Sequence, residues 1–149
     1  MKISPSEQGI KFITNFEGFR AIPYRDSGGL LTVGYGQRIS EAQGVKMGAG
    51  ITKEAAHDLL AAYLERECKV LSALPLANLL QHQQDAVISL VYNIGYRSFL
   101  NSTIYQRLTT RAIDLTPWLW FTKDAKGQRL QGLVTRRMAE LSLFIYGQY

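Results

Sequence analysis

A single cysteine, Cys68, occurs among the 149 residues, so no internal disulfide can form and stability cannot depend on an oxidising compartment. Functions built on paired thiols are thereby excluded. The two histidines, His57 and His82, are too far apart in sequence to suggest a metal pair, and no Cys/His cluster accompanies them. No metal and no cofactor are expected. No stretch approaches the roughly 20 apolar residues of a membrane span, which argues against stable membrane insertion. The opening Met-Lys-Ile-Ser-Pro-Ser-Glu-Gln-Gly-Ile holds no apolar run of signal-peptide length, so synthesis in the cytoplasm without an export segment is the expectation. Internal repeats and low-complexity segments are missing too. The glycine-rich stretches at 28–36 and 44–50 are too short for flexible linkers, and residues 1–149 read as one domain.

What is present suits a folded chain: 46% hydrophobic and 19% charged residues lie far from disordered composition. The net charge of +5 is unevenly spread. Residues 1–96 carry nine basic and nine acidic side chains. From Arg97 onward eight basic residues (Arg97, Arg107, Arg111, Lys123, Lys126, Arg129, Arg136, Arg137) face three acidic ones (Asp114, Asp124, Glu140). A basic C-terminal third favours a polyanionic partner, either nucleic acid or an anionic bacterial envelope, and charge alone does not choose between them. No base-reading motif accompanies it, so nucleic acid is not expected as the partner.

Ser4 reads as an N-cap, with Pro5 at the first helical position and Glu7 completing a capping box, which predicts a helix from about Pro5 to Glu17, stopped by Gly18. Residues 20–37 change character. Ala-Ile-Pro-Tyr and Leu-Leu-Thr-Val-Gly-Tyr flank Arg-Asp-Ser-Gly-Gly, the pattern of a hairpin or small sheet. From Thr52, a second N-cap, Ala56, Leu59, Leu60, Tyr63, Leu64, Val70, Leu71 and Leu74 recur at helical spacing until Pro75, which predicts a helix of roughly twenty residues. The segment 86–94, ended by Gly95, is apolar nearly all round and should be the core helix. Further helices are predicted from near Ser102 and near Leu133, the last carrying Arg136 and Glu140 at i,i+4 and ending at Gly147.

On a helical wheel, Ile10, Phe12, Ile13, Phe16 and Glu17 share one arc. A carboxylate there must find a partner, reach solvent at the helix end, or have its pKa raised by desolvation, as a general acid near neutral pH needs. The structural alternative is an ion pair with Arg20 or an arginine of the C-terminal helix. Asp26 follows at the hairpin turn and Thr32 in the next strand. A three-residue loop of Ser27, Gly28 and Gly29 would set Asp26 opposite Leu30 with Thr32 as its diagonal neighbour, whereas a two-residue loop would separate them. Taken alone, Asp26 also reads as an ordinary turn former.

The arrangement Glu17-x8-Asp26-x5-Thr32, set in Asn-Phe-Glu-Gly-Phe-Arg and Tyr-Arg-Asp-Ser-Gly-Gly-Leu-Leu-Thr-Val-Gly-Tyr-Gly, closely resembles the phage-type lysozymes, glycoside hydrolase family 24. Gln-x-x-Ala-x-x-Ser-Leu-x-Tyr-Asn-Ile-Gly (83–95), Phe99-x-Asn101-Ser102-Thr103, and Leu-x-Gly-Leu-x-x-Arg-Arg-x-x-Glu-Leu-x-Leu-Phe (130–144) are similar to family segments in the same order.

The resemblance covers essentially the whole chain. It implies an α+β fold, mainly helical and two-lobed: a small β-hairpin or sheet lobe, a long connecting helix, a helical C-terminal lobe, and a cleft between the lobes. It implies cleavage of β-1,4 bonds between N-acetylmuramic acid and N-acetylglucosamine in peptidoglycan, causing lysis, with Glu17 as general acid and Asp26 and Thr32 across the scissile bond. Arg38, Tyr92 and Ser102 fall where the family lines its cleft, although the residues alone read equally as a surface arginine, a core tyrosine and a helix cap.

Gln37 stands where the family commonly has a histidine, so any charged pair made by that histidine is absent. The 117–131 region also departs, being aromatic and about two residues longer than expected. Its Trp118, Trp120 and Phe121 read as core before sugar-stacking platforms. The partners expected are peptidoglycan glycan strands and a separate holin-like release protein, with the chain itself monomeric. An antibacterial effector delivered by a secretion apparatus and a non-catalytic peptidoglycan-binding module are the competing roles.

Overall fold

The computed structural model describes residues 2–76 and 78–149. Helix α1 (Glu7–Glu17) begins two residues later than the capping signal at Ser4 predicts. Ser6 is the N-cap, its hydroxyl accepting from the Gly9 N–H. The shift has a long-range cause: the Ser6 N–H and hydroxyl both donate to the buried Asp85 carboxylate, at 2.9 and 2.5 Å. Gly18, at φ 63°, ends the helix in a conformation few other residues adopt.

Strands β1 (Arg20–Arg25), β2 (Leu31–Gly34) and β3 (Gln37–Arg38) form one antiparallel sheet in the order β1-β2-β3. Tyr24 pairs with Thr32 and Arg25 with Leu31, and the Asp26 N–H donates to the Leu30 carbonyl at 2.9 Å. The connection is therefore the three-residue loop, and Asp26 and Thr32 are diagonal neighbours. A short helix α2 (Glu41–Lys46), capped by Ser40, follows the sheet. It is too short for a periodic signal in sequence.

Helix α3 (Lys53–Leu71) starts at the Thr52 cap and packs on β2 and β3 as well as on α1 and α4, so it joins the sheet to the helical body. Helix α4 (Gln81–Ile94) lies at the centre, with every residue from Gln84 to Val91 buried. It packs against α1, α3, α5 (Tyr96–Leu100) and α7 (Gln131–Tyr146). α6 (Thr103–Thr109) is capped by Ser102, and a 3-10 turn (Thr116–Trp120) precedes α7, which starts two residues before Leu133.

The apolar core gathers Ile13, Leu60, Leu64, Val87, Leu90, Phe99, Ile104, Trp118 and Leu143. Trp118 is fully enclosed, and Phe121 packs partly buried against this core. Trp120 corrects the reading from sequence, because it is 62% exposed. Two residues along a turn of about three residues per revolution point in different directions, so burying Trp118 turns Trp120 outward. The fold is α+β and mainly helical. Among the described residues no helix is long and apolar enough to cross a membrane.

Candidate active site

A cleft of about 710 Å³ opens between the sheet and the helices. One wall is supplied by Gly36, Gln37, Arg38, Ile39 and Gln43, the other by Leu59, Ala62, Tyr63 and Arg66 of α3, and the floor by Tyr92–Gly95. The α3 residues follow at i, i+3, i+4 and i+7, one stripe of that helix. Glu17 enters at the end of α1, where Gly18 turns the chain away.

Glu17 meets the apolar arc problem by pairing. Its carboxylate receives a short hydrogen bond from Arg136 Nη1. That arginine also donates through Nε to Glu140 Oε1 at 3.1 Å and through Nη2 to the Ser89 carbonyl at 3.2 Å. Glu140 is further bonded by the Ser89 hydroxyl (2.7 Å), Arg137 Nη2 (2.8 Å) and Trp118 Nε1 (3.0 Å). Arg136, Arg137, Glu140, Ser89 and Trp118 are all buried, so two cations balance two carboxylates in a nearly dry cluster that reaches solvent at Glu17 and at Asn93, whose Oδ1 accepts from Arg137 Nη1 at 2.9 Å. A network bonded at every member in this way, with Arg137 Nε the one buried donor left without a partner among the described residues, holds those members in one geometry. The Arg136–Glu140 pair expected at i,i+4 is internal, and two of the eight basic residues of the C-terminal third lie inside the protein. Burial lowers the Arg137 pKa from its ordinary value, with the Glu140 charge opposing.

The Tyr92 hydroxyl donates to the Tyr35 carbonyl at 2.8 Å and accepts from Gln37 Nε2 at 2.6 Å, tying α4 to the β2–β3 turn. Burial first, then the nearby Glu17 charge, keep this hydroxyl protonated well above the usual tyrosine range. Gln37, which departs from the family pattern, is therefore buried in the cleft wall as a neutral partner of Tyr92.

Asp26 is half-buried and its Oδ1 accepts from the Gly28 and Leu30 N–H groups, both at 2.9 Å, which locks the carboxylate to its own turn. Oδ2 accepts no hydrogen bond among the described residues. Thr32 is buried, and its hydroxyl donates to the Leu30 carbonyl at 3.0 Å. Its ladder partner on β3 is Arg38, which places the Thr32 side of the sheet beside the cleft.

Arg38 and Tyr92 line the cleft. Ser102 does not. Its hydroxyl caps α6, accepting from the Tyr105 N–H and donating to the Phe99 carbonyl at 2.5 Å, with both functions used and the side chain buried. Sequence reasoning missed Arg66 and Tyr63 as cleft residues, although the 59-62-63-66 spacing carried the signal. It also missed Arg136 as the partner of Glu17 by name, having only the class of residue.

The phage lysozyme family model matches residues 14–140. The endolysin of Acyrthosiphon pisum secondary endosymbiont phage 1 is 32% identical over 144 residues, covering 93% of this chain and 96% of the relative. Among solved structures, an endolysin from the Escherichia coli O157:H7 phage FAHEc1 is 30% identical with a TM-score of 0.82, covering 100% of this chain and 96% of the other. The muramidase domain of SpmX from Asticaccaulis excentricus is likewise 30% identical, with a TM-score of 0.80 over 94% of this chain and 96% of that one. The family match over residues 14–140 means that the chain belongs to the phage lysozyme family.

Proposed function

We propose that this chain is an endolysin that lyses bacteria by hydrolysing the β-1,4 bonds between N-acetylmuramic acid and N-acetylglucosamine in peptidoglycan, the lysozyme reaction. The observation that carries the reading is Glu17: a carboxyl group lining the cleft and held in place by a buried ion-pair cluster. Glu17 donates its proton to the glycosidic oxygen as the bond to the anomeric carbon breaks. The guanidinium of Arg136 then faces the carboxylate that donation leaves. A water oxygen bonds the anomeric carbon and its proton passes to Asp26 through the unoccupied Oδ2 side. The Thr32 hydroxyl has spent its proton on Leu30 and offers a lone pair to that water.

The substrate is the glycan strand of the wall. The protein works as a monomer, needs no cofactor, and reaches the wall after a separate holin-like protein permeabilises the membrane. The test is loss of turbidity of outer-membrane-permeabilised bacteria, followed by mass analysis of the released muropeptides. New reducing muramic ends are the expected product; new amino termini would mean peptide-bond cleavage and overturn the assignment.

A further inference from the structure

At the end of α4 away from the cleft lies a second concavity, of about 410 Å³, whose apolar lining includes Leu79, Leu108 and Phe144. Three residues around it are poor choices for the fold alone. Ile113 belongs to the lining and yet is 99% exposed, which no packing within the chain explains. Arg111, at φ 55°, is the one non-glycine residue with a positive φ among the described residues. It follows Thr110, the cap of α6, at a position where the next N–H, that of Ala112, closes back to the Arg107 carbonyl at 2.9 Å and where glycine fits with least strain. Leu80, beside the lining residue Leu79, is 62% exposed at the N-cap of α4, where a side-chain acceptor would serve the helix better. The charged residues of the lining, Arg107 and Arg111, are both basic. Arg111 takes part in no ion pair among the described residues, and Arg107 has only an exposed contact with Asp114 at 3.7 Å. Asp114 is otherwise engaged, its Oδ1 accepting from the Thr116 N–H and hydroxyl at 3.0 and 2.6 Å.

We propose that this end of the helical body docks on an anionic lipid bilayer, with Ile113 and Leu80 entering the headgroup region and Arg107 and Arg111 set against the lipid phosphates. Exposed apolar side chains next to guanidinium groups match an apolar layer lying beneath negative headgroups. A second copy meeting the same face about a two-fold axis would bring like charges together, so the bilayer is the better fit. The docking is peripheral, since among the described residues no helix is long and apolar enough to cross a membrane. It goes beyond the muramidase reading and gives the catalytic cleft an orientation. The concavity meets α4 at Gln83 and the cleft meets it at Tyr92 to Ile94, roughly 15 Å further along the helix axis, so a docked chain holds its cleft clear of the lipid.

The experiment sediments the full chain with vesicles of phosphatidylethanolamine and phosphatidylglycerol, and separately with vesicles of phosphatidylcholine. Binding is expected on the anionic vesicles at low salt and should fall steeply at high salt. Arg111→Gly should weaken it about fivefold, the loss of one cation near the surface, while the melting temperature holds or rises because glycine relieves the positive φ. Ile113→Ser should weaken it about tenfold with the melting temperature unchanged, because the side chain it removes packs on nothing. An environment-sensitive dye on Ile113→Cys should shift to the blue with anionic vesicles, whereas the same dye on Ala62→Cys, in the cleft, should not; the native Cys68 is buried. Equal sedimentation with both kinds of vesicle, sedimentation with neither, or binding that both substitutions leave intact would overturn the proposal, as would a blue shift at Ala62 alone. A dimer in analytical ultracentrifugation that Ile113→Ser dissolves, with no vesicle binding, would assign the face to a second copy and overturn it too. None of these measurements reads glycan cleavage, so the docking fails or stands separately from the muramidase reading.

Discussion

Arg136 of α7 and Glu17 at the end of α1, 119 residues apart, are joined by a hydrogen-bonded ion pair that ties the candidate acid to a buried Arg–Glu–Arg cluster. The pairing changes what the carboxylate does for the fold. An isolated charge on an apolar arc would be relieved by neutralisation, whereas here its removal leaves two buried arginines facing Glu140 alone.

Glu17→Gln is therefore expected to do two things. Activity falls by orders of magnitude, because an amide cannot donate the proton. Stability falls as well, by about 1–3 kcal/mol, because one partner of a mostly buried charge pair is lost while Arg136 stays bonded to Glu140 and Ser89. A urea titration reads the second effect. The structure thus reverses the gain in stability that the apolar arc alone suggests. An unchanged midpoint would mean that Arg136 is satisfied without Glu17, and near-native turnover would mean that Glu17 is not the acid.

Gln37→Ala removes the Nε2 donor to Tyr92 while Tyr92 keeps its bond to the Tyr35 carbonyl. No proton transfer is assigned to Gln37, so turnover should drop only modestly. Stability should fall by about 1–2 kcal/mol from a lost buried hydrogen bond and a small void. Inactivation of a variant that still melts cooperatively would place this residue in the mechanism itself.

The parts of the fold legible in sequence are those whose cause is local. Thr52 and Gly95 bound their helices where expected, because a hydroxyl that caps an N–H and a glycine at φ 83° act within a few residues. Ser6 displaced Ser4 as the cap through Asp85, 79 residues away, and no local pattern contains that contact. Trp120 misled because residue type sets what a side chain can do and turn geometry sets which option is taken, whereas Ser102 left a helix cap and a cleft residue equally open and the structure shows it as the cap of α6. At the site, the spacing of Glu17, Asp26 and Thr32 was readable, but the partner of Glu17 was readable only as a class, since α7 is brought to α1 by packing around α4.

Alkaline pH should destabilise the protein through Cys68, whose thiol is pushed from 9.0 up to about 12, first by burial and then by the Asp85 charge. The folded value lies above the unfolded one, so the stabilising contribution is complete below pH about 9 and is lost as pH rises towards about 12. The loss is at most about 4 kcal/mol by linkage. Tyr92, raised in the same direction, adds to the fall at the upper end. Cys68→Ala should lower stability at neutral pH by leaving a small cavity, yet flatten the decline above pH about 9. A pH profile of the denaturation midpoint identical to that of the parent would show that Cys68 does not drive it. The native thiol should also resist a disulfide reagent at pH about 8 and react fully once the chain is unfolded.

The stereochemistry of cleavage follows from what Asp26 and Thr32 can do together. A second catalytic carboxylate acts either as a nucleophile or as a holder of water, and the two routes give opposite anomers. Asp26 has one oxygen locked to the Gly28 and Leu30 N–H groups, and Thr32, its diagonal neighbour across the strands, keeps a hydroxyl lone pair for a second contact. A carboxylate anchored to its turn is poorly placed to advance on the anomeric carbon, and a neighbouring hydroxyl is superfluous to a double displacement. The same pair is well suited to hold one water between them. Single displacement with inversion is therefore expected, with roughly 6.5–9.5 Å between the catalytic carboxyl groups of the substrate complex to leave room for that water. Starting from a β-linked strand, the first product should carry the α-anomer at its new muramic end, visible by proton NMR before mutarotation. Thr32→Val, which keeps the shape and loses the hydroxyl, should lower kcat far more than it raises KM. Early β-anomer, or a glycosyl ester trapped on Asp26, would overturn the inverting route and leave the bond specificity standing.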